Sequence, residues 1–159
     1  MSLDIRATLP GNQKIKEYDK ISNFLSFWST KEMKDELTED TNIVFEYNIT
    51  HNLCDMAEQI PLLSLHLLSM PDEKCNAYYL LWRPDELWTE EMLFDRELIM
   101  QLLQDPLKET IDYMLTHHSE LSKFNPKNGW GDFRSLMSCV TYYYIASLKW
   151  PKAIISTDR

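Results

Sequence analysis

Glycine is scarce in this chain, with three residues in 159, at positions 11, 129 and 131. Glycines so few and so placed supply no GxGxxG dinucleotide loop and no P-loop, and a GxSxG nucleophile elbow is missing too. They also argue against a fold made of many tight hairpins. Cysteine is equally sparse: Cys54, Cys75 and Cys139 are odd in number and widely spaced, with no CxxC. That excludes a zinc knuckle or a redox pair read from spacing. Each thiol sits in an apolar run, where it behaves as a small hydrophobe. Reduced, buried cysteines and a cytoplasmic location are the expectation. Long apolar runs are missing as well. The most apolar stretch, Ile60 to Met70, is too short to cross a bilayer and contains His66. It reads as a buried helix. No signal peptide is expected, so the Asn48-Ile49-Thr50 sequon is read as accidental.

Positive charge is in deficit. Sixteen Lys and Arg against 25 Asp and Glu give a formal net charge of −9 and a pI near 4.9. Such a field repels phosphates, so nucleic acid is not an expected partner, and the lack of a long apolar run makes a membrane equally unexpected. Metal-ligand spacing is absent too. No HExxH occurs, His66 stands alone, and His117 and His118 are neighbours whose side chains point about 100° apart on a helix. No metal or cofactor is expected. Paired carboxylates such as Glu39-Asp40 and Glu90-Glu91 read as solvated faces or helix starts.

What is present is a normal globular balance, 44% hydrophobic and 26% charged, in a chain long enough for one domain over residues 1–159. Ser2 to Leu9 alternates, with Leu3, Ile5 and Ala7 on one side, and predicts a half-buried strand ended by Pro10-Gly11-Asn12. Asn42 to His51 is the strongest strand, placing Ile43, Phe45, Tyr47, Ile49 and His51 on one face. Ser29 or Thr30 is positioned to cap a short helix. Asn52 stands where a helix N-cap belongs, before Leu53, Met56, Ala57 and Ile60 at helical spacing.

Further helices are predicted from Pro61 to Leu68, from Cys75 to Trp82, and from Thr89 to Gln104 with Met92, Leu93 and Leu98 inward. Asp105-Pro106 restarts a helix whose stripe runs through Leu107, Ile111, Met114, Leu115, His118 and Leu121. After the loop Asn125 to Gly131, Asp132 caps a last helix with Phe133, Leu136, Met137, Val140, Tyr144 and Leu148 inward. Ala153 to Ser156 is short and β-prone. The sum is α+β: a mainly helical single domain with a small sheet of two or three strands from the N- and C-terminal parts. A last strand beside the first would bring those two parts together.

Three features occur together: the opening Met1-Ser2-Leu3-Asp4-Ile5, the phrase Asn48-Ile49-Thr50-His51-Asn52-Leu53, and the loop Asn125-Pro126-Lys127-Asn128-Gly129-Trp130-Gly131 before an aromatic helix. With Trp82-Arg83-Pro84 between the last two, the order resembles that of uncharacterised proteins carried by bacteriophages and bacteria. The resemblance implies a prokaryotic or phage setting and carries no activity.

Two places hold candidate site residues. At the strand end, Asn48, Thr50, His51 and Asn52 gather amides, a hydroxyl and an imidazole at a strand-to-helix junction, a composition suited to a small polar ligand or an anion. The bland alternative is local capping by Asn52 and turn bonds by Asn48 and Thr50, with His51 in the core. In the loop, Asn128, Gly129 and Gly131 permit positive φ, and Trp130 is either a stacking platform or a plug in the core. If the two segments meet, Asn48, His51, Asn52, Asn128 and Trp130 line one pocket.

Tyr142-Tyr143-Tyr144 cannot all face the core from one helix, so at least one meets solvent, a partner or a cleft. The expected function is a non-catalytic binding protein for a host protein or a small molecule. The alternatives are a small enzyme using His51 as acid or base, with Asn48 and Asn128 orienting substrate, and a structural homo-oligomer component built on the tyrosine helix or on Ile60 to Met70.

Overall fold

Alternation of apolar and polar side chains makes β1 (Ser2–Thr8) two-faced: Leu3, Ile5 and Ala7 are fully buried, while Asp4, Arg6 and Thr8 are half-buried on the other side. The computed structural model describes residues 2–23, 39–90 and 95–158. β1 is central to a four-stranded sheet. On one side it pairs antiparallel with β5 (Ile43–Thr50), from Ser2 opposite Thr50 to Thr8 opposite Ile43. On its other side it pairs antiparallel with β6 (Ile154–Asp158), so the expected meeting of first and last strands is found. β3 (Ile21–Ser22) runs parallel to β5 at Phe45 and Glu46. β2 (Ile15–Lys16) and β4 (Asp40–Thr41) form a separate two-residue ladder.

The class is α+β as expected, but the main sheet has four strands rather than two or three. A two-residue strand shows no alternation, which is why β3 is invisible to periodicity. A bulge between Ala7 and Thr8 of the β1–β5 register leaves Val44 as an extra residue, and both Val44 and Phe45 are buried.

One sheet face is wet. Arg6 Nε donates to Glu46 Oε1 at 2.7 Å, Lys20 Nζ donates to Glu46 Oε2 at 3.2 Å, and Lys20 also pairs with Glu17. The other face is dry and packs on helices. Phe45 stacks on Tyr143 with ring centroids 5.0 Å apart. Tyr143 belongs to α7 (Phe133–Lys149), the longest helix, which buries Phe133, Leu136, Cys139, Val140, Tyr143 and Ala146. The expected stripe through Tyr144 and Leu148 is therefore corrected: it passes through Tyr143, Tyr144 is half-buried, and Leu148 is 53% exposed. Stacking on Phe45 selects one tyrosine of three. Tyr142 is exposed, as the three-tyrosine argument requires.

Between β5 and α7 the chain runs through α1 (Cys54–Glu58), α2 (Leu63–Leu67), α3 (Ala77–Trp82), α4 (Arg96–Leu102), α5 (Gln104–Thr116) and α6 (His118–Leu121). α5 packs on α7, α1 on α3, α2 on α5, and α4 on β6. Four further expectations change. The restart at Asp105-Pro106 begins two residues earlier, with Leu103 rather than Asp105 as N-cap. The stripe through His118 breaks at His117, whose Nδ1 lies 3.0 Å from the Tyr113 carbonyl oxygen. The segment Ile60 to Met70 is only partly buried: α2 is short, with Leu65 buried but Leu67 80% exposed. Of the predicted helix from Thr89, the described residues show Glu90 helical and α4 from Arg96; Met92 and Leu93, like the Ser29 or Thr30 cap, lie outside the described residues.

α2 has no capping side chain of its own. Glu109 of α5 supplies one, accepting from Leu63 N–H at 2.6 Å, Ser64 N–H at 2.9 Å and Ser64 Oγ–H at 2.5 Å. The buried residues form one contiguous cluster spanning sheet and helices. Among the described residues no helix is long and apolar enough to cross a membrane.

Candidate functional site

β5 stops because Thr50 turns the chain. Its backbone is extended, at φ −72° and ψ 140°, and its Oγ1 accepts the Asn52 N–H at 3.3 Å, opening the 3₁₀ turn His51–Leu53. The cap is thus Thr50, not the expected Asn52, and the Asn52 side chain is left exposed. Leu53 is fully buried and pins the turn to the core.

The segment Asn125 to Gly131 is built by its own polar residues. Asn125 Oδ1 accepts the Phe133 N–H at 2.8 Å, and Asn128 Oδ1 accepts the Trp130 N–H at 3.0 Å. Gly129 and Gly131 take φ of +72° and +83°. Asp132 and Ser135 then close a capping box on α7: Asp132 Oδ1 accepts the Ser135 N–H at 2.8 Å, and the Asp132 N–H donates to Ser135 Oγ at 3.2 Å. The Ser135 backbone and hydroxyl donors hold the Asp132 carboxyl below its ordinary value.

The strand end and the loop meet at Gly131. A Cβ placed there would stand 2.7 Å from Thr50 Cγ2 and 3.1 Å from Leu53 Cδ1. Beside that contact lies a groove of about 510 Å³ lined by Ser2, Asn48, Thr50, Asn52, Asn128 and Trp130. Five of the predicted residues, Asn48, Thr50, Asn52, Asn128 and Trp130, therefore share one surface. Trp130 is 71% exposed at this groove, so its ring does not plug the core.

His51 does not share that groove. It lines a neighbouring hollow of about 630 Å³ with Asn52, Asp55, Lys123, Asn125, Lys127 and Asn128 among others. Its ring centroid lies 6.5 Å from that of Trp82. His51 Nδ1 is buried and without a hydrogen-bond partner among the described residues, as is Trp82 Nε1. Gly129 lines neither space and only turns the chain.

Part of the groove's polarity is structural. The Asn48 backbone N–H donates to Asn23 Oδ1 at 2.8 Å, and Asn23 Nδ2 donates to the Asn48 carbonyl at 2.7 Å, so Asn23 extends the strand pairing beyond β3. Asn48 Nδ2 donates to Asp4 Oδ1 at 2.6 Å. The Asn48 Oδ1, the Asn128 Nδ2 and the whole Asn52 side-chain amide have no partner among the described residues. These are the groups free to meet a ligand.

The geometry bears on which chemistry fits. An anion at the start of α7 would need donors, yet the Phe133 and Ser135 N–H groups are already taken by Asn125 and Asp132, and the Asp132 carboxylate occupies the position. Cys54 is no nucleophile, because burial beside Glu58 and Asp55 pushes its thiol up to about 11. Among the described residues no cluster of His, Cys, Asp and Glu could hold a metal ion.

Ser2 is not singled out by sequence, and Gly131 is marked there only as a loop glycine permitting positive φ. Ser2 enters because it pairs with Thr50 across β1 and β5, a fact of register. Gly131 carried a signal, a glycine directly before a capping Asp, but its role is the close approach to Thr50. Compared with protein-family models, with curated proteins and with solved structures, the chain matches none.

Proposed function

We propose that this chain is a non-catalytic binding protein acting through the Trp130 groove on a small molecule. The observation that carries the proposal is the exposed Trp130 ring held at a groove that two distant segments build together. Exposing an indole forfeits the burial that a core position would give it, on the order of 2–3 kcal/mol. The loop nevertheless fixes it outward with a hydrogen bond and two positive-φ glycines. Free amides beside an exposed aromatic face make a site that orients a ligand by hydrogen bonds and holds it by stacking. The resemblance to phage and bacterial proteins suits a prokaryotic cytoplasm, which we propose as the setting.

The enzyme reading has less support. A general base needs a partner to fix its tautomer, and His51 Nδ1 has none. Of the two residues expected to orient a substrate, Asn128 shares the His51 hollow but Asn48 does not. A second reading, self-association, is favoured by one observation. Tyr142, Ile145 and Leu148 recur every three residues along α7, and all three are exposed. Sedimentation velocity on Ile145→Glu tests it: a dimer that dissociates in the variant supports it, and a monomeric parent chain removes it.

The binding proposal is tested by a native mass spectrum of the gently purified protein. An adduct above the chain mass that disappears in Trp130→Ala supports it. An adduct that persists in Trp130→Ala places the ligand elsewhere and refutes the assigned groove.

A further inference from the structure

The groove's lining is neutral throughout. Ser2, Asn48, Thr50, Asn52 and Asn128 carry hydroxyls and amides, Trp130 carries an indole, and no charged side chain lines it, in a chain of which 26% is charged. From this composition we infer that the ligand of the Trp130 groove is a neutral saccharide, an inference that rests on the binding function proposed above.

The chemistry of the lining selects against the other classes. The six lining residues give a charged ligand no counter-charge, Lys123 and Lys127 belonging to the adjoining hollow, and a phosphorylated ligand would in addition meet the field of a chain carrying −9. An apolar ligand would cover the Asn52 amide and the free Asn48 and Asn128 groups without pairing them, at the cost of each lost hydrogen bond to water. A sugar ring satisfies both demands. One face of a pyranose is a patch of C–H bonds whose hydrogens are slightly positive, and the indole face is slightly negative, so the two stack.

The sugar's rim consists of hydroxyls, each both donor and acceptor. Amide side chains also offer a donor and an acceptor on adjacent atoms, so an Asn pairs with two neighbouring hydroxyls without regard to their orientation. Asn52 brings both atoms unused, Asn128 brings Nδ2 and Asn48 brings Oδ1. A flat heteroaromatic ring would also stack on Trp130, but it presents few hydroxyl-like groups to five polar neighbours around a single aromatic face.

The test is fluorine NMR on the chain labelled with 5-fluorotryptophan, with the Trp130 resonance assigned by its loss in Trp130→Phe. The probes are maltotriose, cellobiose, N,N′-diacetylchitobiose, the acyclic polyol sorbitol, adenosine and an aromatic carboxylate, each titrated to millimolar concentration. The expected result is a saturable shift of the Trp130 resonance with at least one oligosaccharide and none with sorbitol, which has no ring face. Affinity should fall about tenfold in Asn52→Ala and in Asn128→Asp, the second keeping the Oδ1 acceptor that fixes Trp130 while losing the Nδ2 donor.

A shift that survives both substitutions would mean simple stacking on an exposed ring and would overturn the inference. So would a Trp130 resonance moved by adenosine or the carboxylate but by no saccharide; the groove would then remain a binding site of another class. A resonance that moves with none of the probes would overturn the saccharide and, if the native spectrum is also free of adduct, the binding function with it.

Discussion

Replacing Gly131 by Ala should destabilise the protein far more than replacing Gly129 by Ala, two residues away. Both glycines have positive φ, +83° and +72°, a conformation that costs an L-residue about 1–2 kcal/mol. Alanine returns about 0.4–1 kcal/mol by stiffening the unfolded chain. At Gly129 that is the whole account, because nothing stands within 4 Å of the added methyl. Its net loss is therefore between about 0 and 1.6 kcal/mol. At Gly131 the methyl would sit 2.7 Å from Thr50 Cγ2 and 3.1 Å from Leu53 Cδ1. Thr50 is fixed by its cap and Leu53 by the core, so neither yields freely. Overpacking of this kind adds about 1–3 kcal/mol, for a net of about 1–4.6 kcal/mol.

Urea unfolding reads the difference. With a slope of about 2 kcal/mol per molar urea, Gly129→Ala should lower the midpoint by less than about 0.8 M, and Gly131→Ala should lower it by about 0.5–1.5 M more than Gly129→Ala does. The clash also pushes the loop away from β5, so Gly131→Ala should weaken any ligand of the Trp130 groove. Equal midpoints in the two variants would refute the close approach on which the groove depends.

Trp130→Ala should change stability by less than about 0.5 kcal/mol in a thermal melt, as for an exposed side chain, whereas a core tryptophan would cost about 3–5 kcal/mol. Glu109→Ala should cost about 1–2 kcal/mol by stripping the N-terminal donors of α2, and Glu109→Gln, which keeps an acceptor oxygen, should cost less in the same denaturant assay. Burial pushes the Glu46 carboxyl up, but hydrogen bonds from Arg6 and Lys20 together outweigh it and hold the group below its ordinary value. Its contribution is therefore complete above the unfolded carboxylate pKa of about 4.3 and is lost as pH falls through the lower folded value. Stability measured against pH should fall less steeply on the acid side in Glu46→Gln than in the parent chain; identical slopes would refute that role.

Periodicity told the truth where an element has one dry face. Leu3, Ile5 and Ala7 of β1, and Phe45, Tyr47 and Ile49 of β5, are buried as alternation predicts, because a two-residue period admits only two faces. It failed where burial depends on what lies opposite. Leu67 looked like core and is exposed, because α2 is too short to be enclosed. Leu148 looked inward and is exposed, because the face of α7 was set by Tyr143 stacking on Phe45, a contact nearly 100 residues apart in sequence.

The candidate site divides along the same line. The sequence by itself determined the chemistry: amides and a hydroxyl at the end of β5, and a tryptophan between two glycines ahead of a capping aspartate, are local features with local causes. Tertiary structure alone decided that the two segments share a groove, that Trp130 faces outward and that His51 belongs to a different hollow. Those facts follow from the pairing of Ser2 with Thr50 and the packing of Gly131 on Thr50 and Leu53. Both are contacts between distant residues, and no local pattern carries the distance between them.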